Sequence, residues 1–183
     1  IIKSRQGSDN SLVAMRFMGG IGYAYGNTKG MPYSEQFYIG GASSIRAFRI
    51  RSIGPGSYHP QTKSVTAYLD QTGDIKLEAD IGYRFKIAGR MYGALFMDAG
   101  NVWLVRKEKE RPGGEFRLKG LWKEIALGTG FGLRYDITYI VIRADLGVAL
   151  HAPYDTGKTG YFNIRNYGFK DGLVLNLAIG YPF

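Results

Sequence analysis

Residues 74–87 read Asp74-Ile75-Lys76-Leu77-Glu78-Ala79-Asp80-Ile81-Gly82-Tyr83-Arg84-Phe85-Lys86-Ile87. Every odd position is apolar or aromatic, and every charged residue falls on an even position. Because the side chains of a β-strand alternate between two faces, this stretch predicts a strand with one apolar and one charged face. A shift of one residue would turn six charged groups toward the apolar side, at a cost of about 1–4 kcal/mol each if that side is lipid. The register of the strand is therefore strongly specified.

The same alternation recurs in five other segments of the chain. It predicts strands over residues 12–25, 90–103, 124–135, 139–150 and 173–183. Their charged residues, such as Arg16, Asp98 and Arg143, again occupy the face opposite to the apolar one. The last strand carries Tyr181 and ends on Phe183. A final aromatic residue is typical of an outer-membrane barrel, and these two residues are expected to form the C-terminal assembly signal.

Alternation alone also fits a soluble β-sandwich or a lipocalin-like barrel, in which the apolar face is the core. Two further features favour a membrane barrel. The predicted strands of 11 to 14 residues are long for a soluble sheet and can cross a bilayer at a tilt. The connections also alternate: residues 87–90 and 136–138 are short turns, whereas residues 26–73, 104–123 and 151–171 are long loops. We therefore predict an all-β fold, an antiparallel transmembrane β-barrel.

The composition agrees with this class and excludes others. The chain has 27 glycines, 14 tyrosines and no cysteine, which suits a barrel with aromatic girdles. It has no run of about 18 uncharged apolar residues, so strands must make any membrane crossing. The net charge is +9, but the basic residues are not grouped with aromatic stacking platforms, so we expect no nucleic-acid partner.

Catalysis is not expected either. The two histidines, His59 and His151, both lie in predicted loops, and no serine occupies the charged face of a predicted strand. A Ser-His-Asp arrangement needs these groups side by side, so the chain is predicted not to be an enzyme. Nothing in the sequence resembles a metal or nucleotide site, and we expect no cofactor.

The loop over residues 104–123 is strongly basic. It holds seven basic and three acidic residues, a net charge of +4. Beside outer-membrane lipids, such a loop can bind the phosphates of lipopolysaccharide. A solvated loop whose charge serves solubility explains the same composition, and both interpretations stay open.

We expect residues 1–183 to be the C-terminal portion of a longer barrel. Residues 7–10 are predicted to form a tight turn that closes a strand whose tail is residues 1–6. Six strands cannot close around the inward side chains, since eight already leave an interior that side chains fill. The missing strands are expected upstream in the parent chain. An isolated fragment would have two open edges able to pair with another copy as an oligomer.

Residues 38–49 read Tyr-Ile-Gly-Gly-Ala-Ser-Ser-Ile-Arg-Ala-Phe-Arg, and residues 52–58 read Ser-Ile-Gly-Pro-Gly-Ser-Tyr. Together they resemble the inward-folded sixth loop of the BamA/TamA-like outer-membrane assembly superfamily, the bacterial surface antigen barrels. Residues 77–85, residues 94–103 and the last strand resemble the strands that follow this loop. The resemblance covers essentially the whole chain and is closest to forms from Bacteroidota. It implies strands eleven to sixteen of a sixteen-stranded barrel in the bacterial outer membrane, with residues 26–73 as a re-entrant loop.

The resemblance also implies a site. Arg46, at the tip of the re-entrant loop, is expected to pack against the inner barrel wall and to pair with Asp98. The other residues of this lumen anchor are Ile45, Phe48, Gly40 and Gly41. The chain departs from the family pattern at Gly82, where many relatives carry Glu, so Asp98 acts alone or with Asp80 as a second candidate partner. It departs again at Ala47, where Gly is usual. The alternative is that Arg46 is simply a solvated loop arginine.

The function that the resemblance implies is assembly or translocation of proteins at the outer membrane. Weakly paired edge strands would offer backbone donors and acceptors to an incoming strand of a nascent outer-membrane protein. The partners would then be such nascent proteins, outer-membrane lipids and the upstream POTRA repeats of the parent chain. The alternatives are a polypeptide-secretion pore of the two-partner type and a passive outer-membrane channel.

Overall fold

The computed structural model describes residues 2–4, 11–26, 30–60, 71–156 and 172–180. These residues form one antiparallel sheet of seven strands, in which each strand pairs with its neighbours in the chain. The strands are β1 (Ile2–Ser4), β2 (Ser11–Ile21), β3 (Ile75–Ala88), β4 (Met91–Trp103), β5 (Ala126–Asp136), β6 (Val141–His151) and β7 (Leu173–Ile179). Two short 3-10 helices, Tyr33–Glu35 and Leu121–Lys123, lie in the long connections. The predicted all-β, antiparallel class is confirmed.

The sheet buries its charged face and exposes its apolar face. On β3, Glu78 is 1% exposed and Asp80 is buried, whereas their neighbour Ile81 is exposed. Phe17 of β2 and Leu177 of β7 are exposed to about three quarters of their surface (75% and 74%). In a protein surrounded by water the apolar side chains would be the buried ones. This inverted pattern is what hydrocarbon on the apolar side requires.

The buried face is covered by the re-entrant loop, and we call this side of the sheet the inner side. Apolar loop residues pack there against the C-terminal ends of β4 and β6 and against the start of β5. The cluster consists of Ile39, Ile45, Ala47, Phe48 and Ile53 from the loop with Val102, Ala126, Ala149 and Ala152 from the strands and their ends. Farther along, Gly56 donates its N–H to the carbonyl of Val102 at 2.7 Å, so the loop returns beside β4. The loop fills the inner side instead of extending away from it.

The register places inner residues of successive strands in rows. Asp80 of β3 lies opposite Arg16 of β2 on one side and opposite Asp98 of β4 on the other. Asp98 in turn lies opposite Gly128 of β5. Cross-strand neighbours of this kind are close enough for their side chains to interact. One row across the sheet therefore carries Arg16, Asp80, Asp98 and Gly128.

The strand predicted over residues 12–25 is wrong at its end, because β2 stops at Ile21. Ile21 pairs with Ile75, the first residue of β3. Gly22 still donates to the carbonyl of Asp74 at 2.7 Å, but Gly73, two residues before Ile75, forms a bridge with Phe37 of the re-entrant loop. The ladder therefore ends, and the alternation that continues through Tyr25 has no partner strand.

The other predicted strands differ from the structure by one or two residues at their ends, apart from the last. That strand was predicted over residues 173–183, and β7 covers Leu173–Ile179. Tyr181 and Phe183, the predicted assembly signal, lie outside the described residues. β1 occupies part of the segment expected to hold a strand tail. The total of sixteen strands stays a prediction.

Among the described residues, none of the helices has the length and apolar character needed to span a bilayer.

The inverted burial predicts a depth-dependent cost for charge on the outer side of β3. Ile81 lies in the middle of the strand and Ile87 near its turn, and both side chains are exposed on the same face. Ile81→Arg is expected to lower the free energy of unfolding in bilayers by about 2–4 kcal/mol, and Ile87→Arg by about 1 kcal/mol or less. Denaturant titration of the full-length protein in lipid vesicles measures both. Equal, near-zero effects would mean that this face meets water.

Candidate functional site

The re-entrant loop turns sharply at Gly40 and Gly41. Both residues have positive φ, +94° and +89°, which residues with a Cβ adopt only with strain. A Cβ at Gly40 would also lie 3.0 Å from the backbone carbon of Arg49. The turn is closed by two backbone hydrogen bonds, Gly41 N–H to the carbonyl of Phe48 at 2.8 Å and Arg51 N–H to the carbonyl of Ile39 at 3.0 Å. These bonds bring together the two ends of the segment that contains residues 43–48, which we call the loop tip.

Arg46 and Asp98 meet at the centre of the inner side. Arg46 Nη2 donates to Asp98 Oδ1 at 2.5 Å, and Arg46 Nε donates to Asp98 Oδ2 at 2.8 Å. The backbone N–H of Arg46 donates to the same Oδ2 at 2.9 Å. The guanidinium carbon also lies 3.7 Å from the ring centre of Phe96, so a cation–π contact covers one side of the group. Arg46 is 1% exposed and Asp98 is fully buried.

This geometry shows that Arg46 is not a solvated loop residue. A two-pronged guanidinium–carboxylate pair is the strongest ordinary ion-pair geometry in proteins. The third bond, from the backbone, fixes the loop tip and not only the side chain. Removal of one partner from a buried pair of this kind leaves the other charge uncompensated, at a cost of about 3–5 kcal/mol.

The floor beneath the loop tip is made of glycine. A Cβ at Gly147 of β6 would lie 2.7 Å from both the Arg46 carbonyl carbon and the Ala47 Cα. A Cβ at Gly128 of β5 would collide with the Cβ of Ala47. Because these positions carry no side chain, the loop backbone can lie directly on the sheet. Ala47, where the family pattern usually has Gly, is itself buried between them.

A second group of ions holds the loop tip to β2 and β3. Ser44 Oγ donates to Glu78 Oε2 at 2.5 Å, and Glu78 also pairs with Lys76 at 2.9 Å and with Arg16. Arg16 Nη2 donates in addition to the carbonyl of Ser43 at 3.0 Å. Glu78 is thus shared between the loop and its neighbours on the sheet.

Asp80 belongs to this second group and not to Arg46, so its role as a second partner of Arg46 is corrected. Arg16 Nε donates to Asp80 Oδ2 at 2.8 Å. The other oxygen, Oδ1, is buried and accepts no hydrogen bond from the described residues. The reason is the register: Arg16 lies directly opposite Asp80. Asp98 alone among these two carboxylates pairs with Arg46.

A third group of ions lies on β5 and β6. Asp145 pairs with Arg134 at 2.6 Å and with Arg143 at 2.8 Å, and all three side chains are buried. Arg143 Nη2 also donates to the hydroxyl of Ser43 at 3.1 Å. The loop tip is therefore bound by side chains from both sides of Asp98.

The structure brings the predicted anchor residues together. Ile45 and Phe48 are buried in the apolar cluster on either side of Arg46, and Gly40 and Gly41 form the turn. Sequence reasoning missed the contacts that Ser43 and Ser44 of the loop tip make with Arg16, Glu78 and Arg143. Alternation already placed Arg143, like Glu78 and Arg16, on the charged face, but it gave no partner for any of them.

The arrangement binds and positions a loop, and its chemistry is that of ion pairs and hydrogen bonds. The two histidines contact other groups. His151 Nδ1 lies 2.7 Å from the carbonyl of Ile125, and the ring of His59 stacks on Tyr154 at 3.9 Å. Neither histidine lies in the loop-tip site as the structure describes it.

Comparison with known proteins gives two findings. A family model described as Omp85 superfamily domain matches residues 4–169, which is most of the chain. The outer membrane protein assembly factor BamA of Neisseria meningitidis serogroup B is 32% identical over 85 residues. The matched part is 46% of this chain and 11% of that protein, so the chain spans only a small part of its relative. The Bacteroidota-like origin expected from the loop sequence stays a prediction.

The buried pair predicts strong coupling between Arg46 and Asp98. Arg46→Ala and Asp98→Ala are each expected to lower the free energy of unfolding by about 3–5 kcal/mol, because each strands a buried charge. The double variant is expected to cost much less than the sum of the two single variants. A double-mutant cycle on the full-length protein in vesicles measures the coupling, and simple additivity of the two effects would contradict the pair.

The glycine floor predicts a steric requirement at Gly147. Gly147→Ala would push against the Arg46–Ala47 backbone and is expected to cost about 1–3 kcal/mol through overpacking. Gly172→Ala is the matched control, because a Cβ there meets open space. Protease sensitivity of the loop and the midpoint of unfolding measure both variants. Equal behaviour of the two would show that the loop tip does not lie on β6.

Proposed function

The chain belongs to the Omp85 superfamily of the bacterial outer membrane, and from this premise we propose that it is the C-terminal part of the barrel of a protein assembly factor. Its task would be to help nascent outer-membrane proteins insert into that membrane. The relative from Neisseria meningitidis carries the name of such a factor. The lumen anchor and the edge strands of the sheet are the two features that support this role.

The proposed mechanism is mechanical. In the described part of the chain, β7 forms one edge of the sheet and pairs with β6 alone. An edge strand presents unpaired backbone N–H and carbonyl groups, which can template an incoming strand. The nascent protein would add to this edge and avoid crossing the bilayer core with unpaired backbone groups.

The single observation that carries the proposal is the buried ion pair between Arg46 and Asp98, which we call the clamp. It holds the loop tip on the inner side through three hydrogen bonds to one carboxylate. A loop fixed in this way supports the barrel wall beside the templating edge. The residues act by position, and no chemical step is assigned to them.

The filled inner side argues against a passive channel. Ile39, Ile45 and Ile53 of the loop are fully buried against the strands, where an open pore would be lined by water. A polypeptide-secretion pore is the other alternative. The number of POTRA repeats in the parent chain distinguishes it, because several favour assembly and two favour secretion.

Lipid contacts extend the proposal. The loop that follows β4 exposes Trp122 to 88% of its surface, next to Lys123, with Leu118 and Lys119 exposed nearby. An aromatic residue beside cations suits the interface between hydrocarbon and anionic headgroups. We assign this segment to contact with outer-membrane lipids, including lipopolysaccharide phosphates. Pairing of an isolated fragment with a second copy through its open edges also stays a proposal.

The proposed role predicts that Arg46 is needed for assembly. Arg46→Ala in the full-length factor is expected to slow the folding of a substrate barrel into vesicles about tenfold. This factor corresponds to a loss of about 1.4 kcal/mol in the stability of the active conformation of the factor. Arg49→Ala is the control, since Arg49 lies in the same loop with an exposed side chain.

Folding of each variant factor is checked by its heat-modifiable mobility in gels, so that loss of the factor itself is excluded. Unchanged substrate folding by a folded Arg46→Ala factor would refute the role of the clamp.

A further inference from the structure

We propose that Asn176 on β7 is a positioning residue that ties the edge strand to the loop tip. Asn176 Nδ2 donates a hydrogen bond to the carbonyl oxygen of Arg46 at 2.8 Å. We call this bond the Asn176 latch. Its existence stands on the geometry alone, whereas its importance for substrate proteins rests on the proposed function.

The latch acts on the residue that is already held most firmly. The side chain and the N–H of Arg46 both bind Asp98 of β4, and its carbonyl binds Asn176 of β7. One residue of the loop therefore connects two strands that are three positions apart in the sheet. Because the peptide groups on both sides of Arg46 are fixed, the loop tip can transmit a displacement of one strand to the other.

β7 is the strand on which such a bond has the greatest effect. It is seven residues long, the shortest of the strands that follow β1 in the described chain. Its outer side chains, Leu175, Leu177 and Ile179, are exposed and pack on little protein. Of its inner residues Val174, Asn176 and Ala178, only Asn176 has a side chain that can form hydrogen bonds. The backbone ladder to β6 and the latch are thus its polar attachments to the described sheet.

The neighbourhood of Asn176 reinforces the arrangement. Asn176 lies opposite Asp145 of β6 in the register, and Asp145 is bound by Arg134 and Arg143. Arg143 also donates to Ser43 of the loop tip. β6 and β7 therefore contact the same five-residue piece of loop, from Ser43 to Ala47, through different side chains.

The consequence is reciprocal coupling between the loop and the edge. If the seated loop stabilises β7 against opening, then opening of β7 must weaken the seating of the loop by the same factor. A substrate strand that pairs with β7 would therefore change the seating of the loop tip at the lumen anchor. Asn176 is the side chain through which this coupling passes.

Hydrogen exchange followed by mass spectrometry tests the latch in the full-length protein in lipid nanodiscs. Asn176→Leu keeps a similar side-chain volume but has no donor, and it is expected to speed exchange of the amides of residues 173–179 about fivefold, as loss of one ordinary hydrogen bond would. Asn176→Gln keeps the amide donor and is expected to restore protection close to that of the natural protein. Leu177→Ala, one residue away on the lipid side, is the matched control and is expected to leave exchange of the loop tip unchanged.

The pattern of exchange decides the outcome. Faster exchange confined to β7 and the loop tip, with β3 and β4 unchanged, supports the latch. Unchanged exchange in Asn176→Leu, or equal loosening of every strand, would overturn it. Asn176→Ala, which adds no bulk, repeats the measurement if the leucine variant does not fold.

A parallel assay of substrate insertion separates the latch from the proposed function. Slower insertion together with loosened β7 supports both. Loosened β7 with unchanged insertion would leave the latch in place and overturn the part assigned to the edge strand in assembly.

Discussion

A guanidinium that is 1% exposed on the inner side of a membrane barrel must find its counter-charge there, and Arg46 finds it in Asp98. The requirement is mutual, because Asp98 is fully buried beneath the loop. Neither group can be moved into hydrocarbon, where an unpaired charge is far more costly. The pair therefore fixes which side of the sheet the loop occupies, and the apolar cluster around Ile45 and Phe48 forms as a result.

The row across the sheet shows why the loop is needed for charge balance. Arg16, Asp80 and Asp98 lie opposite one another on β2, β3 and β4 and carry one positive and two negative charges. Arg46 supplies the missing positive charge from the loop. Ser44 adds a donor to Glu78, one inner position away on β3. The loop thus supplies the counter-charge that this row lacks.

The alternation of apolar and charged residues predicted the strands and the side of each side chain, because burial in a two-faced strand depends on local sequence. It predicted that Asp98 faces inward, and the resemblance supplied Arg46 as its partner. It could not predict that Arg16 pairs with Asp80, since that contact depends on β2 pairing with β3 across a connection of more than fifty residues. For the same reason the alternation placed the end of the first long strand at residue 25. Only the folded loop shows that Gly73 pairs with Phe37 and not with a residue of that strand. The contacts of Ser43 and Arg143 also depend on the loop conformation, which no periodicity encodes.

Under the proposed function, the position of the loop also limits where an incoming polypeptide could bind. In the described part of the chain the inner side is occupied by side chains and loop backbone, down to the glycine floor at Gly128 and Gly147. The outer side is apolar and faces hydrocarbon, which cannot satisfy the backbone groups of an unfolded chain. The remaining backbone donors and acceptors of the described sheet are those of its two edges, β1 and β7. Under the proposed function, a strand of a nascent barrel needs such groups before it can enter the bilayer, so within the described sheet the edges are the surfaces whose chemistry matches that need.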